Sequence, residues 1–134
     1  MEETSMPIMV CEFAATLDAS TREKVAGAIT STVHEVIGSE LELISVVLRQ
    51  PESNQIWTAG KPSNDALIFC YIRAGRPNAM KTELALRVSK AWHEAVGTAE
   101  SSIEVAVFET PASMTARGGR RLPEPPHAVA VAAE

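Results

Sequence analysis

Two arginines and a proline are the residues of this chain whose types and spacing could do chemistry. Arg73 and Arg76 flank Gly75 in "IRAGRP" (Ile72 to Pro77), where the patterning turns from strand to helix. Guanidinium forks take carboxylates bidentately, and a helix amino terminus adds partial positive charge, so this turn reads as an anion site. Two cations there oppose the helix macrodipole, which makes them a poor device for stability alone. The alternative is a pair of arginines at an exposed turn, bridged to nearby acids. Pro7 follows Met6 in "MEETSMPIMV". As the first residue of a mature chain it would be a secondary amine, able to act as general base or acid. As an internal residue it is an uncharged tertiary amide, and a proline at the start of a strand needs no function.

Other reactive residue types carry less. His34 and His93 each lie four residues before a glycine, in the last turn of a helix, where a cation is favoured structurally. His127 lies in a Pro-rich tail. Cys11 and Cys70 sit inside apolar runs and read as small buried hydrophobes rather than nucleophiles. Trp57 in "IWTAG" could wall a pocket or anchor a core. Arg117, Arg120 and Arg121 in "ARGGRRLPEPP" could wrap a neighbouring subunit, add an anion contact, or pack on their own chain.

The elements that must position these residues repeat. "PIMVCEFA" (Pro7 to Ala14) reads as a buried strand, and Ser20 to Ile37 as a helix with the apolar stripe Val25, Ile29, Val33, Val36. Ser20 and Glu23 have the spacing of a capping box, and Gly38 sits where the helix should stop. "LISVVLRQ" (Leu43 to Gln50) is a second strand. After a polar loop the pattern restarts with a strand over Ala66 to Ala74. A helix follows from Pro77 to Val96, with Met80, Leu84, Val88 and Trp92 on its inner face, and then a strand over Ser102 to Glu109. Cys11 matches Cys70, and "HEVIG" (His34 to Gly38) matches "HEAVG" (His93 to Gly97), all 59 residues apart.

This predicts an α+β fold: two tandem β-α-β units forming one four-stranded mixed sheet with two helices on one face. The expected organisation is a polar leader over 1–6, a domain over 7–111 with units 7–51 and 66–111, and a tail over 112–134. If Cys11 faces Cys70 across a pseudo-twofold, paired residues sum to 81 and Pro7 lies opposite Ala74, beside the arginine turn. The uncovered sheet face predicts oligomerisation.

Composition bounds the function. The chain has 134 residues, 46% apolar and 22% charged, with a net charge of −5, which suits one soluble domain and argues against a nucleic-acid partner. No apolar run approaches the ~18 residues of a membrane span, and no secretory signal is visible. Two cysteines without a local His/Cys cluster argue against a metal site or disulfide scaffold, so a reduced, cytoplasmic protein is expected.

"PIMV", the tandem units, "IRAGR" and "ETPASM…GGRRLPEP" together resemble the tautomerase superfamily, most closely its cis-3-chloroacrylic acid dehalogenase branch. The resemblance runs from Pro7 to about Pro125. It implies a homotrimer that uses an amino-terminal proline, no metal or organic cofactor, and a small carboxylate-bearing substrate such as an enol, a 2-oxo acid or an unsaturated carboxylate. By position it makes Pro7 the catalytic proline, provided processing exposes it, and Arg73 and Arg76 the carboxylate-binding pair. The branch's helical histidine falls at Val33, its tyrosine at Ala106 and its water-activating glutamate at Arg117. Alanine donates no hydrogen bond and arginine is no base near neutral pH, so hydrolytic dehalogenation is not expected.

What survives is the minimum set for enol–keto tautomerisation, with Arg117 and Trp57 as further substrate contacts. Two alternatives stand beside it. One is a non-catalytic trimeric carboxylate-binding relative. The other is a specialised biosynthetic isomerase or cyclase whose pocket is enlarged and dried by Val33 and Ala106.

Overall fold

In each half of the chain the hydrophobic period switches from two to nearly four and back, and the backbone follows it. The computed structural model describes residues 7–123. The first unit is β1 (Ile8–Phe13), α1 (Ala19–Ile37) and β2 (Ser45–Arg49), followed by a hairpin of β3 (Trp57–Thr58) and β4 (Lys61–Pro62). The second is β5 (Ala66–Arg73), α2 (Asn78–Val96) and β6 (Ile103–Thr110), followed by β7 (Ala116–Arg117) and β8 (Arg120–Arg121).

The sheet runs β2-β1-β5-β6. Its outer pairs are parallel, as crossover helices require, and its central pair β1–β5 is antiparallel. Alternation sends Met9, Cys11, Phe13, Ile68, Cys70 and Ile72 to one face. There they pack on Val25, Ile29 and Val33 of α1 and on Leu84, Val88 and Trp92 of α2. Both helices therefore cover the same face. Trp92 packs at a tilt against Phe13, ring centroids 5.2 Å apart, and its indole N–H donates to Thr98 Oγ1 at 2.9 Å. This gives the largest buried side chain both an apolar seat and a partner for its polar atom.

Three expectations change in detail. The helix α1 is capped by Asp18, whose Oδ1 accepts from the Thr21 N–H at 2.8 Å, and not by a Ser20–Glu23 box. The central register pairs Met9 with Cys70 and Cys11 with Ile68, so partners sum to 79 rather than 81. Continued one residue, that register sets Pro7 beside Ile72, not Ala74. The reason is that a twofold maps every antiparallel register onto itself, while alternation fixes only which face a residue takes. The self-equivalent pair at the axis is Val10 with Phe69.

The repeat also reaches further than units ending at 51 and 111. The hairpins are themselves 59 residues apart: Trp57 matches Ala116, Thr58 matches Arg117, Lys61 matches Arg120 and Pro62 matches Arg121. Both close through the same backbone bond, Ser63 N–H to Ile56 C=O at 2.8 Å and Leu122 N–H to Thr115 C=O at 3.0 Å. The segment over 112–123 therefore folds onto the domain as the second unit's hairpin. The sheet face away from the helices carries Val10, Val47, Leu67, Phe69, Tyr71 and Phe108, and no described element covers it.

Candidate functional site

The pseudo-twofold gives the sheet two equivalent ends, and they differ in charge. At one end β5 finishes and β1 begins, which brings Arg73, Arg76 and Pro7 to the same end. At the other, the residues equivalent to Arg73 and Arg76 are Ala14 and Leu17. The same fold is thus built with and without the arginines in one molecule, so their presence is not a requirement of the architecture. Gly75 between them has φ 120, a conformation closed to ordinary L side chains, and this lets the chain leave β5 and enter α2 within four residues.

Both guanidinium groups are buried, Arg73 at 1% and Arg76 at 3% exposure, so Arg76 does not sit at an exposed turn. The cover is the second hairpin. Ala112 and Leu122 are buried, and Arg73 Nη1 donates to the Pro123 carbonyl. Arg76 Nη1 donates to the Arg73 carbonyl at 3.2 Å, while its Nε has no hydrogen-bond partner among the described residues. Burial, and after it the neighbouring Arg73 charge, push the Arg76 guanidinium down to about 10, with Glu109 pulling the other way. Glu109 also accepts from Lys81 Nζ at 2.8 Å, tying the first turn of α2 to the end of β6. Glu109 thus serves both Arg76 and Lys81. The buried Arg76 Nε, a charged donor without a partner among the described residues, can donate to a carboxylate.

Lys81 and Glu109 escaped the sequence reading, although a signal existed. Arg22 and Gln50, the residues 59 positions earlier, make the corresponding contact at 3.2 Å. Pro7 is buried, and its carbonyl accepts from the Ser45 N–H at 3.1 Å.

The other candidates disperse. Trp57 is 57% exposed on the first hairpin, at the end of the sheet away from the arginines, with its indole N–H bound to the Asn54 carbonyl at 2.7 Å. It is neither a core anchor nor, within one chain, a wall of the arginine site. A small cavity of about 120 Å³ beneath that hairpin is lined by Ala14, Gln50, Pro51 and Ile56. Val33 lies in the sealed helix–sheet core, and Ala106 pairs with Phe69 on the opposite sheet face. The two do not form one pocket within the chain, because a helix's inner stripe and an outward strand position are separated by the sheet itself. Arg117 is exposed on the second hairpin, whose next turn of chain reaches Arg73 through Pro123.

The histidines are structural in placement. His34 Nδ1 meets the Ser39 carbonyl at 2.7 Å and His93 Nδ1 meets the Thr98 carbonyl at 2.6 Å, the same clip at both helix ends. Among the described residues no cluster of His, Cys, Asp and Glu is suited to a metal, and no helix is long and apolar enough to cross a membrane.

No protein-family model matches the sequence, and no curated protein does. Solved structures do match. Native Ps01740 is 27% identical over 82% of this chain and 99% of its own, with a TM-score of 0.78. N1, a member of the cis-3-chloroacrylic acid dehalogenase family, is 22% identical over 89% of this chain and 85% of its own, at 0.84. A fused 4-OT solved as a symmetric trimer is 19% identical over 85% and 94%, at 0.79. These neighbours share the tandem β-α-β units and the four-stranded mixed sheet, and the fold of this chain is that of the tautomerase superfamily.

Proposed function

We propose that this protein is a cofactor-independent tautomerase-like isomerase, moving a proton on a small enol, 2-oxo acid or unsaturated carboxylate. Arg73 and Arg76 hold the carboxylate. Pro7, where processing makes it the amino terminus, takes the enol O–H proton and returns a proton to carbon, leaving the keto acid. The guanidinium charge beside the substrate stabilises the enolate between the two transfers. Buried cations nearby and removal from water both favour the neutral amine, which is the form that can act as a base. One observation carries this reading: two buried guanidiniums are concentrated at the sheet end where β1 begins, and the equivalent end has Ala14 and Leu17.

A homotrimer belongs to the proposal. The fused 4-OT neighbour is a trimer, and the bare apolar sheet face here is what a trimer would cover. The leader over 1–6 lies outside the described residues.

A second reading, a non-catalytic trimeric carboxylate-binding protein, is favoured by Val33, Ala106 and Arg117 standing where the branch has its histidine, tyrosine and glutamate. A specialised isomerase with a pocket of Val33 and Ala106 is not proposed, since the sheet lies between those two residues.

Intact mass of the natively produced protein, combined with an ultraviolet assay of enol ketonisation, separates the readings. A chain beginning at Pro7 that ketonises the enol of a 2-oxo acid, and loses this with Arg76→Ala, supports the isomerase. A chain retaining residues before Pro7 that binds small carboxylates without turnover supports the binding protein and sinks the amine mechanism.

A further inference from the structure

The second hairpin has a charge pattern that neither the fold nor the proposed proton transfer uses. Arg117 and Arg120 are directly paired across it, while Arg121 pairs with Ala116 on the other face. The turn between them is Gly118–Gly119, with φ 61 and 78, the pair of positive values that closes a two-residue hairpin. Directly opposed side chains on such a ladder start about 5 Å apart, and two like charges there destabilise it. None of the three arginines forms an ion pair with a described residue.

The molecule again supplies its own comparison. The first hairpin fills the positions of Arg117 and Arg120 with Thr58 and Lys61, and the Thr58 hydroxyl donates to Asp65 Oδ2 at 2.7 Å. A hairpin of this shape thus folds with one cation and one hydroxyl at these positions, so the opposed arginine pair answers to something else. The hairpin is also firmly held. Thr115 Oγ1 donates to the Ala112 carbonyl at 2.8 Å, Leu122 is buried, and Pro123 is bound by Arg73.

We propose that the β7–β8 hairpin is a phosphate-binding subsite, in which Arg117 and Arg120 take the phosphate group of a small ligand between their guanidinium forks. A carboxylate offers one edge of two oxygens, which a single fork satisfies. A phosphate monoester offers three terminal oxygens and close to two negative charges, matching two opposed forks in geometry and charge. Arg121 projects from the other face and takes no part. The subsite is independent of Pro7. Where its ligand is also the substrate held by Arg73 and Arg76, that substrate is a phosphorylated enol or 2-oxo acid.

The test is a thermal-shift and calorimetric titration of the full chain with inorganic phosphate, against chloride and acetate at matched ionic strength. Phosphate is expected to raise the melting temperature above both. Arg117→Gln and Arg120→Gln should each weaken phosphate binding about tenfold or more, the loss of a charged hydrogen-bonding partner. Arg121→Gln should leave it unchanged, and circular dichroism without phosphate checks that every variant is folded. The proposal is overturned if phosphate acts no differently from chloride or acetate, if Arg121→Gln costs as much as Arg117→Gln, or if Arg117→Gln and Arg120→Gln leave an effect that Arg76→Gln abolishes. Any of these leaves the isomerase reading standing, because ketonisation is measured separately on an unphosphorylated acid.

Discussion

Arg76 is where charge and burial conflict most openly. Its folded pKa lies near 10, below the ordinary guanidinium range, so its proton is held less firmly in the folded than in the unfolded chain. The unfolded state therefore binds more protons above the folded value, and stability rises as pH climbs from about 10 towards the ordinary guanidinium range. At neutral pH the charge opposes folding. Replacing a buried, poorly paired cation by an apolar chain of similar length commonly stabilises. Arg76→Met should thus raise the denaturation midpoint, by about 1 kcal/mol or more, while weakening the binding of small carboxylates, both read at pH 7. A lower midpoint with unchanged carboxylate affinity would make Arg76 structural. The thiols present the opposite case. Burial in the apolar core pushes both Cys11 and Cys70 up to about 12, with the neighbouring Cys70 adding to the rise at Cys11. A thiol reagent at pH 8 should leave both untouched in the native protein and modify both in denaturant; native labelling of either would contradict the buried placement.

At the scale of elements, the ends of the helices matter more than their interiors. Asp18 carries the cap of α1, and accepting the Thr21 N–H lowers its carboxyl below the ordinary 3.8. A depressed carboxyl pKa means the cap's contribution is present above the unfolded value and is lost as pH falls through the folded one. Asp18→Ala should therefore lower the melting temperature at neutral pH, and the difference from wild type should vanish in acid. Ser20→Ala should change little, although its spacing to Glu23 suggests a capping box. Gly75 is the corresponding device for the site. Forcing alanine to φ 120 costs on the order of 1 to 3 kcal/mol and moves both arginines. Gly75→Ala should consequently lose stability and carboxylate binding together, whereas Arg76→Met separates them.

For the whole molecule, the sheet is finished on one side only. The helix side is sealed, while Phe108 stacks on Tyr71 at 5.4 Å and lies 6.1 Å from Phe69 across a face that solvent reaches. A charge placed there should not disturb the helix-side core but should oppose any sheet-to-sheet contact. Phe108→Glu is expected to convert the proposed trimer to smaller species by light scattering, with circular dichroism unchanged. A wild-type protein that already scatters as a monomer would end the trimer proposal.

The residue order alone determined the repeat, the six main elements and the inner stripe of each helix, because strand and helix periods are properties of local geometry. It also marked the arginine turn, since two cations at a helix start have little local reason to be there. What it left open were quantities that depend on contacts distant in sequence. The register slipped from 81 to 79 because symmetry and alternation permit both. The short hairpins escaped because two-residue strands have no period to read. The burial of Arg73 and Arg76 was decided by a segment some fifty residues away, through Pro123. Val33 and Ala106, joined in sequence by the resemblance alone, were parted by the sheet between them. Local chemistry names the reactive groups; only the packed chain decides which of them meet.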